Sequence, residues 1–149
     1  DRDAVNAFIR EHWHGSDMIV HGERIDMTAA EGVAAYDGDT LTGIITYRIM
    51  GNECEILSLD SLKEGRGIGS ALVENIIGIA KDHHCRSIKV TTTNDNINAM
   101  GFYQKRGFRM ARLYQDAVTA ARRMKPSIPL TGENGIPIRD EIEFEMRVE

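Results

Sequence analysis

Three glycines, Gly65, Gly67 and Gly69, stand at alternate positions just ahead of a stretch from Ser70 to His84. Within that stretch Leu72, Val73, Ile76, Ile79 and Ala80 keep the spacing of a helix. A glycine turn lets the backbone approach a ligand closely. The helix behind it aims unpaired N–H groups and the positive end of its dipole at the same spot, an arrangement suited to phosphate. A triphosphate loop needs Lys and then Ser or Thr directly after its last glycine, whereas Gly69 is followed by Ser70-Ala71. A dinucleotide fingerprint needs glycine at the sixth place, where Ser70 stands, and an acidic strand end about 20 residues further on, which is missing. A diphosphate turn of another kind remains, beside the plainer alternative of a turn that only joins strand to helix.

A second constellation follows: Asn96, Ala99 three residues later, Tyr103 four further on, and Gly107-Phe108 four beyond that. Taken with Glu64-Gly65-Arg66-Gly67-Ile68-Gly69-Ser70-Ala71-Leu72, it resembles the two motifs of the GNAT superfamily of N-acetyltransferases. The first is a pyrophosphate turn (Gln or Arg, two residues, Gly, one residue, Gly or Ala), and the second an Asn–Ala–Tyr–Gly-Phe helix. The resemblance spans residues 41 to 109. Lys125-Pro126-Ser127-Ile128-Pro129 and Asp140-Glu141-Ile142-Glu143 are similar to the tail of a group of small bacterial members. One position departs from the pattern, Glu64, where Gln or Arg is usual. A carboxylate there repels a diphosphate by on the order of 1 kcal/mol when screened by solvent, with Lys63 and Arg66 as offsets, so weaker or reorganised binding of coenzyme A is expected.

The resemblance implies an α/β (α+β) fold, a central and mostly antiparallel mixed sheet flanked by helices, with acetyl-CoA in a cleft between splayed strands. It implies acetyl transfer from acetyl-CoA to a primary amine, by direct attack in a ternary complex. Glu64, Gly65, Arg66, Gly67, Ile68, Gly69 and Ser70 would hold the diphosphate. Leu57 and Leu59, on a strand that splays from its neighbour, would grip pantetheine, with the Leu59 N–H aimed at the oxyanion. Asn96 would bond the cofactor, and Tyr103, with an ordinary pKa of about 10, would protonate the departing thiolate. Asn94 and Asn98 read as turn and cap residues. The amine must lose a proton, and Glu55, beside the acyl site, is the leading base; Glu53 and Asp60 are the substitutes. His12, His14 and Asp17 fall in a region that often lines the acceptor pocket in this superfamily, although polar residues at a helix end can equally be idle.

These residues need elements to position them. Val5, Phe8, Ile9 and Trp13 form a helical stripe that Asp3 can cap. A short apolar run, Met18 to Val20, is punctuated by Gly22-Glu23. Gly32 to Tyr36, Leu41 to Met50 and Glu53 to Leu59 read as strands joined at Asp37-Gly38-Asp39 and Gly51-Asn52, an antiparallel meander. Ser87 to Thr93 is a strand and Asn96 to Arg106 a helix closed by Gly107. A strand to Leu113 follows, then a helix from Gln115 to Met124 ended by Pro126. After a loop marked by Pro129, Gly132, Gly135 and Pro137, Ile142, Phe144, Met146 and Val148 alternate with Glu141, Glu143, Glu145 and Arg147 as a last strand.

The totals bound what these elements can build. The 149 residues, 42% of them hydrophobic, suit a single domain over residues 1–149 with one core, its first strand expected to precede Asp1. A net charge of -5 lacks the positive footprint that nucleic acid requires, and is of the sign that draws in a cationic amine. Two cysteines, Cys54 and Cys85, without ligand-spaced partners signal neither a disulfide framework nor a metal site. No apolar run has the length of a membrane span, so a cytoplasmic enzyme is expected, its acceptor a small-molecule or peptide amine. The last strand, read as exposed, makes a homodimer an expectation. A sensor that keeps the cofactor turn but has lost turnover is the second functional reading, favoured by Glu64.

Overall fold

The structure, a computed structural model, describes residues 17–21, 23–26, 30–61 and 67–149. The expected first helix, with His12 and His14, lies outside the described residues, as do Glu64, Gly65 and Arg66. Chain order runs β1 (Asp17–Val20), β2 (Glu23–Asp26), β3 (Glu31–Asp37), β4 (Thr40–Met50), β5 (Glu53–Ser61), α1 (Ile68–Asp82), β6 (Ser87–Thr93), α2 (Ile97–Lys105), β7 (Arg109–Tyr114), α3 (Ala117–Met124) and β8 (Glu141–Arg147). β1 and β2 pair as a hairpin, and the remaining strands form a six-stranded sheet in the order β3-β4-β5-β6-β8-β7. Every pairing in that sheet is antiparallel except β5 with β6, the two strands joined through α1. A parallel pair needs such a crossover helix.

The meander forms as its turn residues require, Gly38 and Gly51 each adopting positive φ between paired strands. Alternation along the strands sends Ile45 and Tyr47, Cys54 and Ile56, Ile88 and Val90, and Phe144 into one core with Leu72, Val73, Ile76 and Ala80 of α1 and Tyr103 of α2. These α1 residues share one helical face, and burying them against the sheet stabilises each by roughly 1.5–3 kcal/mol for the larger side chains. α2 ends at Gly107 (φ 96), where the Phe108 N–H bonds back to the Tyr103 carbonyl at 3.0 Å.

The opposite face of the sheet is polar yet partly covered. Thr46 and Ser58 hydroxyls meet there at 2.5 Å, and the β1–β2 hairpin reaches over it, with α3 packed against β1. The loop after α3 is fastened from both ends. Arg122 donates to the carbonyls of Ile128, Pro129 and Ile138, while Asn94 bonds the Pro137 carbonyl and the Arg139 and Asp140 amides. Asn94 is therefore a loop anchor. One expectation changes: β8 lies between β6 and β7, so the last strand is not exposed, and the open edges belong to β3 and β7. On β7 Met110 and Leu113 are exposed.

Candidate active site

The site begins where two strands part. Parallel pairing of β5 with β6 runs from Glu53↔Ser87 to Ile56↔Val90 and stops, although β5 continues to Ser61 and β6 to Thr93. On the other side of β5 the register shifts between Tyr47↔Ile56 and Thr46↔Ser58, leaving Leu57 as an extra, bulged residue. A bulge bends its strand and sharpens the twist, which separates β5 from β6 from Leu57 onward. The main chain of Leu57 to Leu59 there has no β6 residue opposite it, a strand edge that fits an extended chain carrying amides, such as pantetheine. Leu57 is buried and Leu59 packs its side chain on the core, so only their main chains are available to a ligand.

The described chain resumes at Gly67, at the head of α1. Gly67 caps the helix at φ 69, and the first intrahelical bond joins the Ala71 N–H to the Gly67 carbonyl at 3.0 Å. The amides of Ile68, Gly69 and Ser70 precede it and face outward along the axis. The first turn holds no acid and no side-chain cap. A Cβ at Gly67 would meet nothing within 4 Å, so the space before these amides is open, whereas one at Gly69 would lie 3.2 Å from the Phe102 ring. Arg106 adds positive charge: its guanidinium donates to Ser70 Oγ at 2.9 and 2.5 Å and lies 3.7 Å over the Phe102 ring. Outward amides, open space and a neighbouring guanidinium fit the diphosphate of acetyl-CoA.

Asn96 sits at the N-cap of α2, its Oδ1 accepting from the Ala99 N–H at 3.1 Å. It fills the capping place assigned above to Asn98, and its amide nitrogen makes no contact in the cap. Tyr103 is buried among Phe102, Phe108 and Phe144 at ring separations of 5.3 to 6.1 Å. Burial first, and then the charge of Asp60, push its phenol well above the usual range, so the hydroxyl stays protonated. Asp60, whose charge the phenol feels, lies near the end of β5.

Glu55 is not free. Its Oε1 accepts from Arg48 Nε at 2.7 Å, and the same guanidinium donates to both oxygens of Glu23 on β2, at 2.8 and 3.1 Å. Glu53 pairs with Lys89 at 2.9 Å. Two carboxylates that the sequence shows only as alternating positions of the last strand, Glu141 and Glu143, are buried under His21. His21 Nδ1 is 3.2 Å and its backbone N–H 3.1 Å from Glu141 Oε1, its Nε2 is 3.0 Å from Thr91 Oγ1 and 3.7 Å from Glu143 Oε1, and its ring stacks on Tyr114 at 3.8 Å. Burial pushes the Glu141 carboxyl above the usual range, His21 pulling against it and the charge of Glu55 adding to it. No local signal marked His21, Arg48 or Arg106 beforehand; each acts through a partner from another element. Among the described residues no group of His, Cys, Asp or Glu is placed to hold a metal ion, and no helix is long and apolar enough to cross a membrane.

Known proteins resemble this chain in sequence and fold. The family described as "Acetyltransferase (GNAT) family" matches residues 3–108. The chain is 47% identical over 138 residues to the protein YdhI of Bacillus subtilis (strain 168), covering 92% of this chain and 86% of that one. Among solved structures, an IAA acetyltransferase from Bacillus cereus superposes with a TM-score of 0.70 at 25% identity, covering 81% of this chain and 79% of its own. A GNAT acetyltransferase from Elizabethkingia anophelis, with acetyl-CoA bound, does so at 0.69 and 24%, covering 81% and 78%. The match over most of the chain, with this sheet and this parting of β5 from β6, shows that the protein belongs to the GNAT family of acetyltransferases.

Proposed function

We propose that this protein, acting as one domain, transfers an acetyl group from acetyl-CoA to a primary amine by direct attack in a ternary complex. What carries the proposal is the convergence of Leu57 to Leu59 of β5, where the pairing with β6 has ended, with the outward amides of Ile68, Gly69 and Ser70. The first offers pantetheine a strand edge, and the second offers the diphosphate a helix N-terminus. Acetyl-CoA supplies an activated thioester. The protein's part is to hold it along β5, to aim the Leu59 N–H at the developing oxyanion, and to keep Tyr103 protonated beside the departing sulfur. The turn from Glu64 to Ser70, with Arg106 behind it, holds the diphosphate, and the Asn96 amide nitrogen reaches toward the cofactor. Glu55, ion-paired with Arg48, acts as a clamp rather than as the base. Burial holds the Cys54 thiol up at about 12 and raises that of Cys85 too, so both are inert thiols suited to the reducing cytoplasm.

Thermal-shift and thiol-release assays with acetyl-CoA against a panel of amines test this. Stabilisation by coenzyme A together with amine-dependent thiol release is expected. Stabilisation without release above background would mean a sensor. Titration with coenzyme A that gives no heat and no shift of the residue 67–70 amides would remove the acetyl-transfer assignment.

A further inference from the structure

The buried polar cluster on the face of the sheet opposite the core has a position that packing alone does not require. Thr91, which bonds His21, directly follows Val90, the last residue of β6 paired with β5. The imidazole therefore stands at the level where the strands separate. Glu143 faces Thr91 across the β6–β8 ladder, and Glu141 faces Thr93 one step on. Glu143 Oε2 is buried without a hydrogen-bond partner among the described residues; Arg112 Nε, at 3.9 Å, is a largely exposed ion-pair neighbour. A buried carboxylate oxygen with unused acceptor capacity favours an incoming cation.

Beside the cluster lies a cavity of about 500 Å³ whose lining includes His21, Tyr114, Ala117, Ala121 and Met124. Tyr114 is the cross-strand partner of Glu141, so the cavity wall and the carboxylates belong to one stretch of sheet. Its size suits a small molecule, and its alanines and methionine suit an alkyl arm. The polar groups thus meet the cavity at His21 and Tyr114, with Gln115 the other polar residue of its lining. His21 holds a left-handed backbone (φ 49) at the tip of the hairpin, which Arg48 ties through Glu23 to the sheet.

We propose that His21, Glu141 and Glu143 form the acceptor subsite, receiving a small primary amine as its ammonium ion, with His21 taking the proton that must leave nitrogen before attack. The proposal rests on the acetyl-transfer function above. The ammonium gives one proton to the imidazole, and the freed lone pair forms the C–N bond at the thioester carbonyl. The C–S bond then breaks, sulfur leaving with the electron pair and taking the Tyr103 phenol proton, which the second nitrogen proton replaces; the imidazolium returns the first to water. The groups facing His21 are Glu141 and Glu143 of β8, Thr91 of β6 and Tyr114 of β7. Glu55 acts on Glu141 and Arg112 on Glu143, while the α3 side of the cavity is uncharged.

The test uses the full chain with coenzyme A bound, the loading confirmed by its own heat of binding, so that failure of the cofactor assignment is seen separately. 1,4-Diaminobutane and 1,4-butanediol are titrated while the His21 ring protons are followed by NMR. The diamine is expected to move them and the diol not. Glu143→Gln should weaken the diamine about tenfold, the loss of one charge-assisted contact, with coenzyme A affinity unchanged. His21→Gln, assayed with acetyl-CoA and the diamine, should lower kcat/KM about a hundredfold and change its pH profile. Ring protons unmoved by the diamine, or an equal affinity in Glu143→Gln, would overturn the subsite. Diamine binding without thiol release in the unmodified protein, or an unchanged pH profile in His21→Gln, would overturn the proton-accepting role.

Discussion

Arg48 Nε donates to Glu55 Oε1 at 2.7 Å, across the register pair Arg48↔Glu55, while the rest of its guanidinium grips Glu23 on the hairpin that carries His21. The pairing raises the Arg48 pKa, Glu23 contributing most, and keeps a carboxylate beside the acyl site engaged. Gln at position 55 still accepts from Nε. Glu55→Gln should hold kcat/KM within about threefold, since a hydrogen bond that survives the change is worth only a fraction of 1 kcal/mol, with no new pH dependence. A loss growing toward low pH would return Glu55 to the role of base. Arg48→Met should cost only about 0.5–1 kcal/mol of stability, because Glu23 is more than half exposed. It should nevertheless slow turnover about tenfold by releasing the hairpin, a change of ~1.4 kcal/mol in barrier. Steady-state kinetics beside thermal denaturation separate the two effects.

Tyr103→Phe removes a hydroxyl from a site whose ring contacts are all apolar. The rings keep their packing, so the melting temperature should change little. The departing thiolate loses its proton donor, and turnover should fall about tenfold to a hundredfold, at or below the lower end of general-acid effects. Calorimetry with coenzyme A should give the same affinity. An unaltered kcat would leave Tyr103 a packing residue.

How far these roles were legible in the sequence depended on the range of the interaction that creates them. Leu72, Val73, Ile76 and Ala80 reveal α1 because helical periodicity is local, and β6 matches its expected span, Ser87 to Thr93, for the same reason. Glu141 and Glu143 were visible as one face of a strand, but alternation assigns sides and not cover. Their burial follows from β8 taking an interior place in the sheet and from a hairpin about 120 residues away folding over it. The clamp on Glu55 likewise depends on the cross-strand register of β4 and β5, which the bulge at Leu57 shifts. Asn96 was found by motif spacing, and its cap geometry only by the start of α2 at Ile97.

Gly69 and Gly67 should fail differently when given a side chain. A Cβ at 69 would sit 3.2 Å from Phe102, whose ring lies under the Arg106 guanidinium, so Gly69→Ala must shift that ring by a few tenths of an ångström and destabilise by about 1 kcal/mol. Gly67→Ala meets open space but strains a residue at φ 69, costing about 1 kcal/mol. Both should weaken coenzyme A. Only the first should move the Phe102 ring resonances, and equal ring shifts in both would break the distinction.

Glu141→Gln should make the protein more stable and less active. The folded-state pKa of Glu141 lies above its ordinary 4.5, burial being the main cause, so the folded chain binds this proton more tightly than the unfolded chain does. At neutral pH the buried charge therefore opposes folding. The opposition fades as pH falls through the folded value and is gone below 4.5. Gln is neutral throughout, and its Oε1 can still accept from the His21 backbone N–H and Nδ1. The variant should melt about 2–4 °C higher at neutral pH, the shift that ~1 kcal/mol makes in a chain of this size. That advantage should vanish on acidification, while affinity for a cationic acceptor drops at every pH where the carboxylate would have been ionised. Melting curves across pH decide it. A lower melting temperature at neutral pH would mean that the contacts Glu141 makes with His21 outweigh the cost of its burial, and the carboxylate would then be a net stabiliser.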